Sequence, residues 1–173
     1  MGLDTLLVRT SKEAYSMLDK YRDNKYIKIN LEEVAYFRKF WSLLYRFDYG
    51  DENYGNWVEV PMEKIAQLRN EAKQTILKVE DYLKRNGHII NRSPLERVQL
   101  EGDYSKWLDD CISLQDVKFT DDIESECDDI CNSVYEESDA FLFRKVVTLY
   151  QKFSDILENT DFDKEVILME SDW

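Results

Sequence analysis

The chain has 173 residues, 43% of them hydrophobic and 13% aromatic, which is enough apolar material for one buried core. Only 5 Gly and 2 Pro leave little material for tight turns, and this favours helices. The net charge of −13 is regional, because residues 101–139 hold 14 acidic and two basic side chains while the remainder is nearly balanced. Such a surface repels polyanions, so neither direct nucleic-acid binding nor membrane binding is expected.

The cysteine content indicates a reducing compartment. Cys111, Cys127 and Cys131 are an odd number, and no apolar run approaches the roughly 18 residues of a membrane-spanning segment. No signal peptide is recognisable either. We therefore expect free thiols and a cytoplasmic protein.

The first elements predicted are a strand over residues 3–8 and a helix that begins after Thr10 and Ser11 and runs to about Arg22. Residues 26–29 alternate between polar and apolar side chains, as a strand does.

The most apolar helix predicted in the chain spans residues 31–47. Its large side chains occupy two faces, and Arg38, Ser42 and Arg46 leave one narrow polar stripe. A helix that is apolar on two faces is normally buried on both. We therefore expect it at the centre of the fold, with Trp41 in the core.

A short strand over residues 57–60 and a long amphipathic helix come next. Pro61 suits the first helical position, and Gly87 is a natural terminator just after Arg85. Two helices are expected within residues 101–139.

The last elements predicted are a helix over residues 139–158 and a strand over residues 165–169. Short strands near both termini and before Pro61 are expected to form one small sheet. The predicted fold class is therefore α+β and predominantly helical, in a single domain of residues 1–173 with an acidic helical segment at 101–139.

Cys127 and Cys131, four residues apart, share one helical face, and with Cys111 and His88 they could supply a zinc site. The alternative is a buried apolar stripe, since free cysteine packs as a small hydrophobe. The paired cysteine spacing of zinc knuckles is absent, which favours the buried stripe. No metal, no other cofactor and no catalytic residue are expected.

A group of aromatic side chains lies around residues 48–56. They either cap the core, which their apolar neighbours favour, or offer anchors for a partner. The group consists of Trp41, Tyr45, Tyr49, Tyr54 and Trp57.

The acidic segment has three interpretations: a solvated helix face, a divalent-metal site built from carboxylates of residues 109–129, or a surface that imitates a phosphate backbone and occupies a basic protein groove. Self-repulsion in such a cluster destabilises the fold, which suggests that its concentration has a use. The partner-binding residues predicted by the third interpretation are Asp109, Asp110, Asp116, Asp121, Asp122, Glu124, Glu126, Asp128 and Asp129.

About half of the chain resembles a loose group of small phage and prophage proteins. The resemblance is carried by four segments: the opening Met1-Gly2-Leu3-Asp4, the aromatic-Arg-Lys step Tyr36-Phe37-Arg38-Lys39, the strand-to-helix sequence of residues 57–63, and the ending of residues 165–173 on a tryptophan. The group usually has Tyr-Trp where this chain has Tyr36-Phe37, and the acidic segment is not typical of it. None of these motifs has a chemical role, so the resemblance implies no functional residue. It implies an accessory protein of a virus or mobile element.

Charge and resemblance together predict a phage or prophage accessory protein in the cytoplasm of a bacterial host. Its expected partner is a basic, nucleic-acid-handling host protein that it inhibits, for example as an anti-CRISPR or other anti-defence protein. One alternative is a small metal-dependent hydrolase or nuclease that uses carboxylates of residues 109–129. A second is an intracellular structural or immunity-type interaction protein.

Overall fold

The computed structural model of the protein describes residues 4–20, 30–47, 56–88, 90, 92–98 and 121–172. The chain divides into two compact units, one formed by residues 1–66 with 155–173 and the other by residues 67–154. Helices and a four-stranded antiparallel sheet together confirm the predicted α+β class. No helix of the described residues combines the length and apolar composition needed to cross a membrane.

The sheet lies in the first unit and has the strand order β2-β1-β4-β3. Its strands are β1 (Asp4–Ser11), β2 (Glu32–Arg38), β3 (Val58–Val60) and β4 (Glu165–Asp172). The two central strands pair over their full length, from Asp4 opposite Asp172 to Ser11 opposite Glu165. The prediction that the first and last strands share a sheet is therefore confirmed.

Strand β4 is buried on both faces, because its central residues 166–169 are all apolar and buried. Val166 and Leu168 pack with Val8 in a cluster on one face. Residues 167 and 169 alternate to the opposite face, as the two-residue period of a strand requires. At one end of the pair, the buried hydroxyls of Thr5 and Ser171 hydrogen-bond across the strands at 3.0 Å.

Helix α1 (Lys12–Lys20) follows β1 directly and begins as predicted. The Ser11 hydroxyl accepts a hydrogen bond from the Ala14 N–H at 3.1 Å, the geometry of an N-cap. The predicted strand over residues 26–29 lies outside the described residues.

The helix predicted over residues 31–47 is wrong. This segment forms β2 and then a six-residue helix, α2 (Trp41–Arg46), with Lys39 between them at φ 52°. Along β2, Ala35 and Phe37 are buried while Tyr36 and Arg38 are exposed, which is the period of a strand. Pairing with β1 decides in favour of the strand, because the same apolar residues satisfy both patterns.

Trp41 is not a core residue, contrary to the prediction, and its exposed fraction is 40%. The buried side chains around α2 are instead Phe40, Leu43 and Leu44. Phe40 packs edge-on against Phe37, with ring centroids 6.4 Å apart.

The described part of the second unit is built from three helices, α3 (Met62–Arg85), α4 (Asp121–Tyr135) and α5 (Leu142–Asn159). It contains the whole of α4 and part of each of the other two. Each buries one stripe of apolar side chains spaced three or four residues apart. On α3 these are Leu68, Ala72, Ile76, Val79 and Leu83, and on the part of α5 in this unit they include Leu142, Val146, Leu149 and Phe153. The long amphipathic helix after Pro61 and the helix over residues 139–158 are therefore both confirmed.

Helix α3 ends as predicted at Gly87, whose φ is +80°. The Gly87 N–H donates to the Lys84 carbonyl at 3.1 Å, and the His88 N–H donates to the Leu83 carbonyl at 2.9 Å. These two bonds define a Schellman motif, which requires the left-handed conformation that glycine adopts without steric penalty.

The connector of residues 92–98 is fixed by the fully buried Gln151. Its amide donates to the carbonyls of Pro94 at 3.0 Å and Glu96 at 2.7 Å, and its carbonyl accepts from Arg97 at 2.6 Å. The Ser93 hydroxyl also donates to the buried Glu80. Each buried polar group named here therefore has a partner, as burial requires.

Candidate interaction surface

The described part of the acidic segment is α4 and the turn after it, residues 136–141. Residues 121–139 contain nine acidic side chains and no basic one. Three predicted partner-binding residues, Asp109, Asp110 and Asp116, lie outside the described residues, as does the second helix predicted in this segment. Asp121 begins α4.

Helix α4 is amphipathic, and this decides which carboxylates face solvent. Its buried hydrophobic side chains recur every fourth position: Ile123, Cys127, Cys131 and Tyr135. Three predicted partner-binding residues lie on the other side and are exposed, and we call them the acidic face: Asp122, Glu126 and Asp129.

Within the described part of the chain, no Lys, Arg or His forms an ion pair with the acidic face. Glu126 interacts electrostatically with the Tyr82 hydroxyl on α3. Partial burial, and then the Glu126 charge, raise the pKa of that hydroxyl. The negative charge of this face is therefore not compensated by any cation that the structure describes.

Glu124 was predicted to bind a partner, and the structure places it inside the unit. It is 5% exposed, and Arg144 on α5 holds both of its carboxylate oxygens, with Nη2 donating to Oε2 at 3.2 Å and Nε donating to Oε1. A forked guanidinium–carboxylate pair of this kind orients both side chains. Glu124 joins α4 to α5, and its charge is already compensated.

Asp128 also has an internal role. Its two carboxylate oxygens accept the backbone N–H groups of Phe141 at 2.9 Å and Phe143 at 2.8 Å, at the start of α5. These groups have no partner within the helix, so a carboxylate there caps it. Burial raises the pKa of Asp128, and the two backbone hydrogen bonds oppose this rise.

A cleft of about 340 Å³ opens between α4 and the turn of residues 136–141. The buried Glu137 and the half-buried Asp139 share one cation, Lys145, whose Nζ lies 3.8 Å from Glu137 Oε1 and closer to Asp139. Ten residues line the cleft: Glu124, Ser125, Asp128, Asp129, Asn132, Glu137, Ser138, Asp139, Ala140 and Phe141. Five of these are acidic, and Arg144 and Lys145 are the cations paired with them among the described residues.

Phe141 stands at the rim of this cleft with 56% of its surface exposed. Its φ is +65°, a conformation that costs an L-residue with a bulky side chain about 1–2 kcal/mol. The hydrogen bond to Asp128 holds its N–H in this position. The turn therefore presents an aromatic ring to solvent beside the acidic face.

The cysteines of α4 behave as core residues. Both are fully buried, and burial raises the pKa of Cys127 to about 12 and raises that of Cys131 as well. His88 lies at the end of α3, and Cys111 lies outside the described residues. Among the residues that the structure describes, no three His, Cys, Asp or Glu side chains are grouped so as to hold a metal ion.

Sequence reasoning missed Phe141 as a surface residue, although one signal was present. Position 141 is out of phase with the stripe formed by Leu142, Val146 and Leu149, so its side chain leaves the buried face of α5. The roles of Glu124 and Asp128 had no such signal, because their partners lie 13 to 20 positions away in the chain.

Comparisons of the chain with protein-family models, with curated proteins and with solved structures find no match.

Proposed function

We propose that this protein binds a basic surface of another protein through the acidic face and the adjoining cleft. The observation that carries this proposal is the stripe of Asp122, Glu126 and Asp129, which are exposed and form no ion pair with a cation that the structure describes. At 1.5 Å per residue, this stripe extends about 10 Å along the helix axis. A row of negative charges attracts a positively charged partner and so accelerates their encounter. The same row repels acidic proteins, which makes binding selective.

Phe141 supplies the apolar part of the same surface. Residues that dominate binding energy are enriched in large side chains that are surrounded by polar contacts. An exposed aromatic ring held at a strained turn beside five carboxylates fits that arrangement. Strained backbone is concentrated at functional sites, which is a further reason to place the contact here.

The nature of the partner follows from charge and from the resemblance. A helix face rich in carboxylates can occupy a groove that is built for phosphates, so we propose a nucleic-acid-handling protein as the partner. From the resemblance to phage and prophage proteins we further propose that the partner is a protein of a bacterial host. The two proteins bind in the cytoplasm of that host, and binding inhibits the partner. A nuclease of bacterial defence, such as a CRISPR effector, is the most concrete form of this proposal.

The test compares two variants with equal changes of charge. In the face variant, Asp122→Lys, Glu126→Lys and Asp129→Lys reverse the acidic face. In the control variant, Glu33→Lys, Glu59→Lys and Asp163→Lys reverse three exposed carboxylates of the other unit. All three proteins serve as bait in bacterial lysate at low salt. We expect a basic protein to be retained by the wild type and the control but lost by the face variant.

The association rate of the retained protein is then measured against ionic strength. It should fall steeply between about 0.01 M and 1 M salt, where the screening length shrinks from about 30 Å to about 3 Å. Equal retention by all three baits would exclude the acidic face as the binding surface. Loss of a measured hydrolytic activity on addition of a chelator would favour the metal-dependent alternative instead.

A further inference from the structure

A second surface, in the other unit, has the opposite character. Trp41 and Tyr45 are 40% and 78% exposed. They are four residues apart on α2, so they lie on the same side of the helix and about 6 Å apart along its axis. Two exposed aromatic side chains are thus presented together.

Basic residues flank this pair in the chain. Arg38 and Lys39 are exposed just before α2, and Arg46 is half-buried at its end. Residues 34–47 contain no acidic side chain, and the acidic residue that the sheet brings to this segment is Asp4, opposite Arg38. Two residues of chain span at most about 7 Å, so Lys39 stays near Trp41, and Arg46 is adjacent to Tyr45. We call these five residues, Arg38, Lys39, Trp41, Tyr45 and Arg46, the α2 patch.

The α2 patch is not what buries α2. That role belongs to Phe40, Leu43 and Leu44, which are at most 4% exposed. Trp, Tyr and Arg are the residues most enriched where binding energy is concentrated, and all three types meet in this patch. A partner for it must be acidic and must offer apolar surface to the two rings.

We propose that the α2 patch binds the acidic face of α4 in a second copy of this chain. The acidic face and Phe141 offer what such a partner needs, namely exposed carboxylates and an apolar side chain. The two surfaces are different, so each copy donates one and accepts with the other. In a dimer formed by this heterologous contact, one copy keeps an unused α2 patch and the other keeps an unused acidic face. Further copies therefore add to the dimer until a ring closes.

This contact uses the acidic face that we propose for the partner, so self-association and partner binding compete. The self-association itself does not depend on the proposed function. A second class of occupant is single-stranded nucleic acid, since aromatic side chains beside basic ones form stacking platforms. The local charge of the patch permits it, but the carboxylates of α4 are the complementary surface that the chain itself contains.

The experiment mixes two defective variants. The patch variant carries Trp41→Ala and Tyr45→Ala, and the face variant carries the three lysines defined above. Sedimentation velocity at about 0.02 M salt follows each protein alone and the two mixed in equal amounts. We expect the wild type and the control variant to form a series of sizes that grows with concentration, and each defective variant to remain monomeric. The mixture should stop at dimers, since only one productive contact remains.

In the patch variant, association should be at least about 30-fold weaker than in the wild type. Circular dichroism of both variants checks that each is folded. A wild type that remains monomeric at low salt would overturn the proposal, as would a mixture that forms no dimer. Binding of a fluorescent oligothymidylate by a monomeric wild type, and its loss in the patch variant, would also overturn it and assign the patch to nucleic acid.

The two proposals fail separately. A monomeric wild type that still captures a basic partner would refute only the self-association, whereas a self-associating protein that captures none would refute only the proposed function.

Discussion

Asp128 and Asp129 are neighbours in the sequence with different roles in the structure. Asp128 caps α5, whereas Asp129 is exposed on the acidic face. A change that removes a cap leaves backbone N–H groups without a partner, and a change of an exposed carboxylate does not. Substitutions at these two positions therefore distinguish an effect on stability from an effect on surface charge.

We expect Asp128→Ala to lower the free energy of unfolding by about 1 kcal/mol, the usual loss for a helix cap. Asp129→Ala is the matched control and should change it by less than about 0.5 kcal/mol. Urea denaturation at pH 7 measures both. Equal losses would contradict the capping role.

The loss in free energy of unfolding caused by Asp128→Ala should depend on pH, and the direction of this dependence follows from the pKa. Because burial raises the pKa of Asp128, the folded chain binds this proton more tightly than the unfolded chain. Its contribution to stability is then fully present below the ordinary aspartate value of about 3.9 and declines as the pH rises through the raised pKa. The deficit relative to the wild type should therefore be larger at pH 4 than at pH 7.

The two thiols of α4 should be inert in the native protein. Thiolate is the reactive form, and burial raises the pKa of Cys127 to about 12. In a Cys111→Ser background, an aromatic disulfide reagent should react slowly with the folded protein and release two equivalents in denaturant. Rapid reaction of either thiol in the folded protein would show that the buried face of α4 opens readily.

At the scale of single elements, the end of α3 provides a clean test of backbone conformation. A Cβ at Gly87 would meet no atom within 4 Å, so the effect of substitution comes from the φ of +80° alone. We expect Gly87→Ala to cost about 1–2 kcal/mol in the free energy of unfolding. Gly87→Asn should cost less, since Asn tolerates this region. Thermal unfolding of the two variants compares them, and equal losses would indicate a cause other than φ.

Helix α2 offers a matched pair of aromatic residues. Phe40 is 1% exposed, so Phe40→Ala should cost about 3–5 kcal/mol. Trp41→Ala removes a ring that already contacts solvent, and we expect a loss below about 1.5 kcal/mol. Urea denaturation decides the order, and a larger loss at Trp41 would return this residue to the core.

At the scale of the whole molecule, ionic strength should affect stability. Residues 121–139 hold nine carboxylates, and those of the acidic face repel one another because none of them is paired with a cation that the structure describes. Screening at about 0.5 M sodium chloride should therefore raise the melting temperature above its value at about 0.02 M. The face variant, with less repulsion to screen, should gain less. An equal gain in both proteins would show that repulsion on this face is not a significant destabilising term.

Elements with a clean period were predictable from the sequence. The stripes of α3 and α5 identify these helices directly, and Gly87 correctly predicts that α3 ends at Arg85. The paired first and last strands were also predictable, since apolar runs that short rarely form helices. Strand β2 was not, because its apolar residues Val34, Ala35 and Phe37 fit the period of a helix as well as that of a strand, and only pairing with β1 selects the strand.

The candidate surface was predictable only in part. The concentration of charge placed it within residues 101–139, but the nine predicted partner-binding residues could not be told apart from the sequence. The phase of each residue relative to the buried stripe separates Asp122, Glu126 and Asp129 from Glu124. The role of Asp128 depends on a turn 13 positions later, which composition does not reveal.

The strand order has a consequence for synthesis on the ribosome. Thr5 and Ser171, which bond across the two central strands, are 166 positions apart. The second unit is one continuous stretch, residues 67–154, and emerges complete before β4 exists. Until then β1 has an open edge on the side that β4 later occupies, and unpaired strand edges of this kind promote aggregation. A ribosome stalled before residue 165 would hold a nascent chain in which β1 and β3 have not yet been joined by β4.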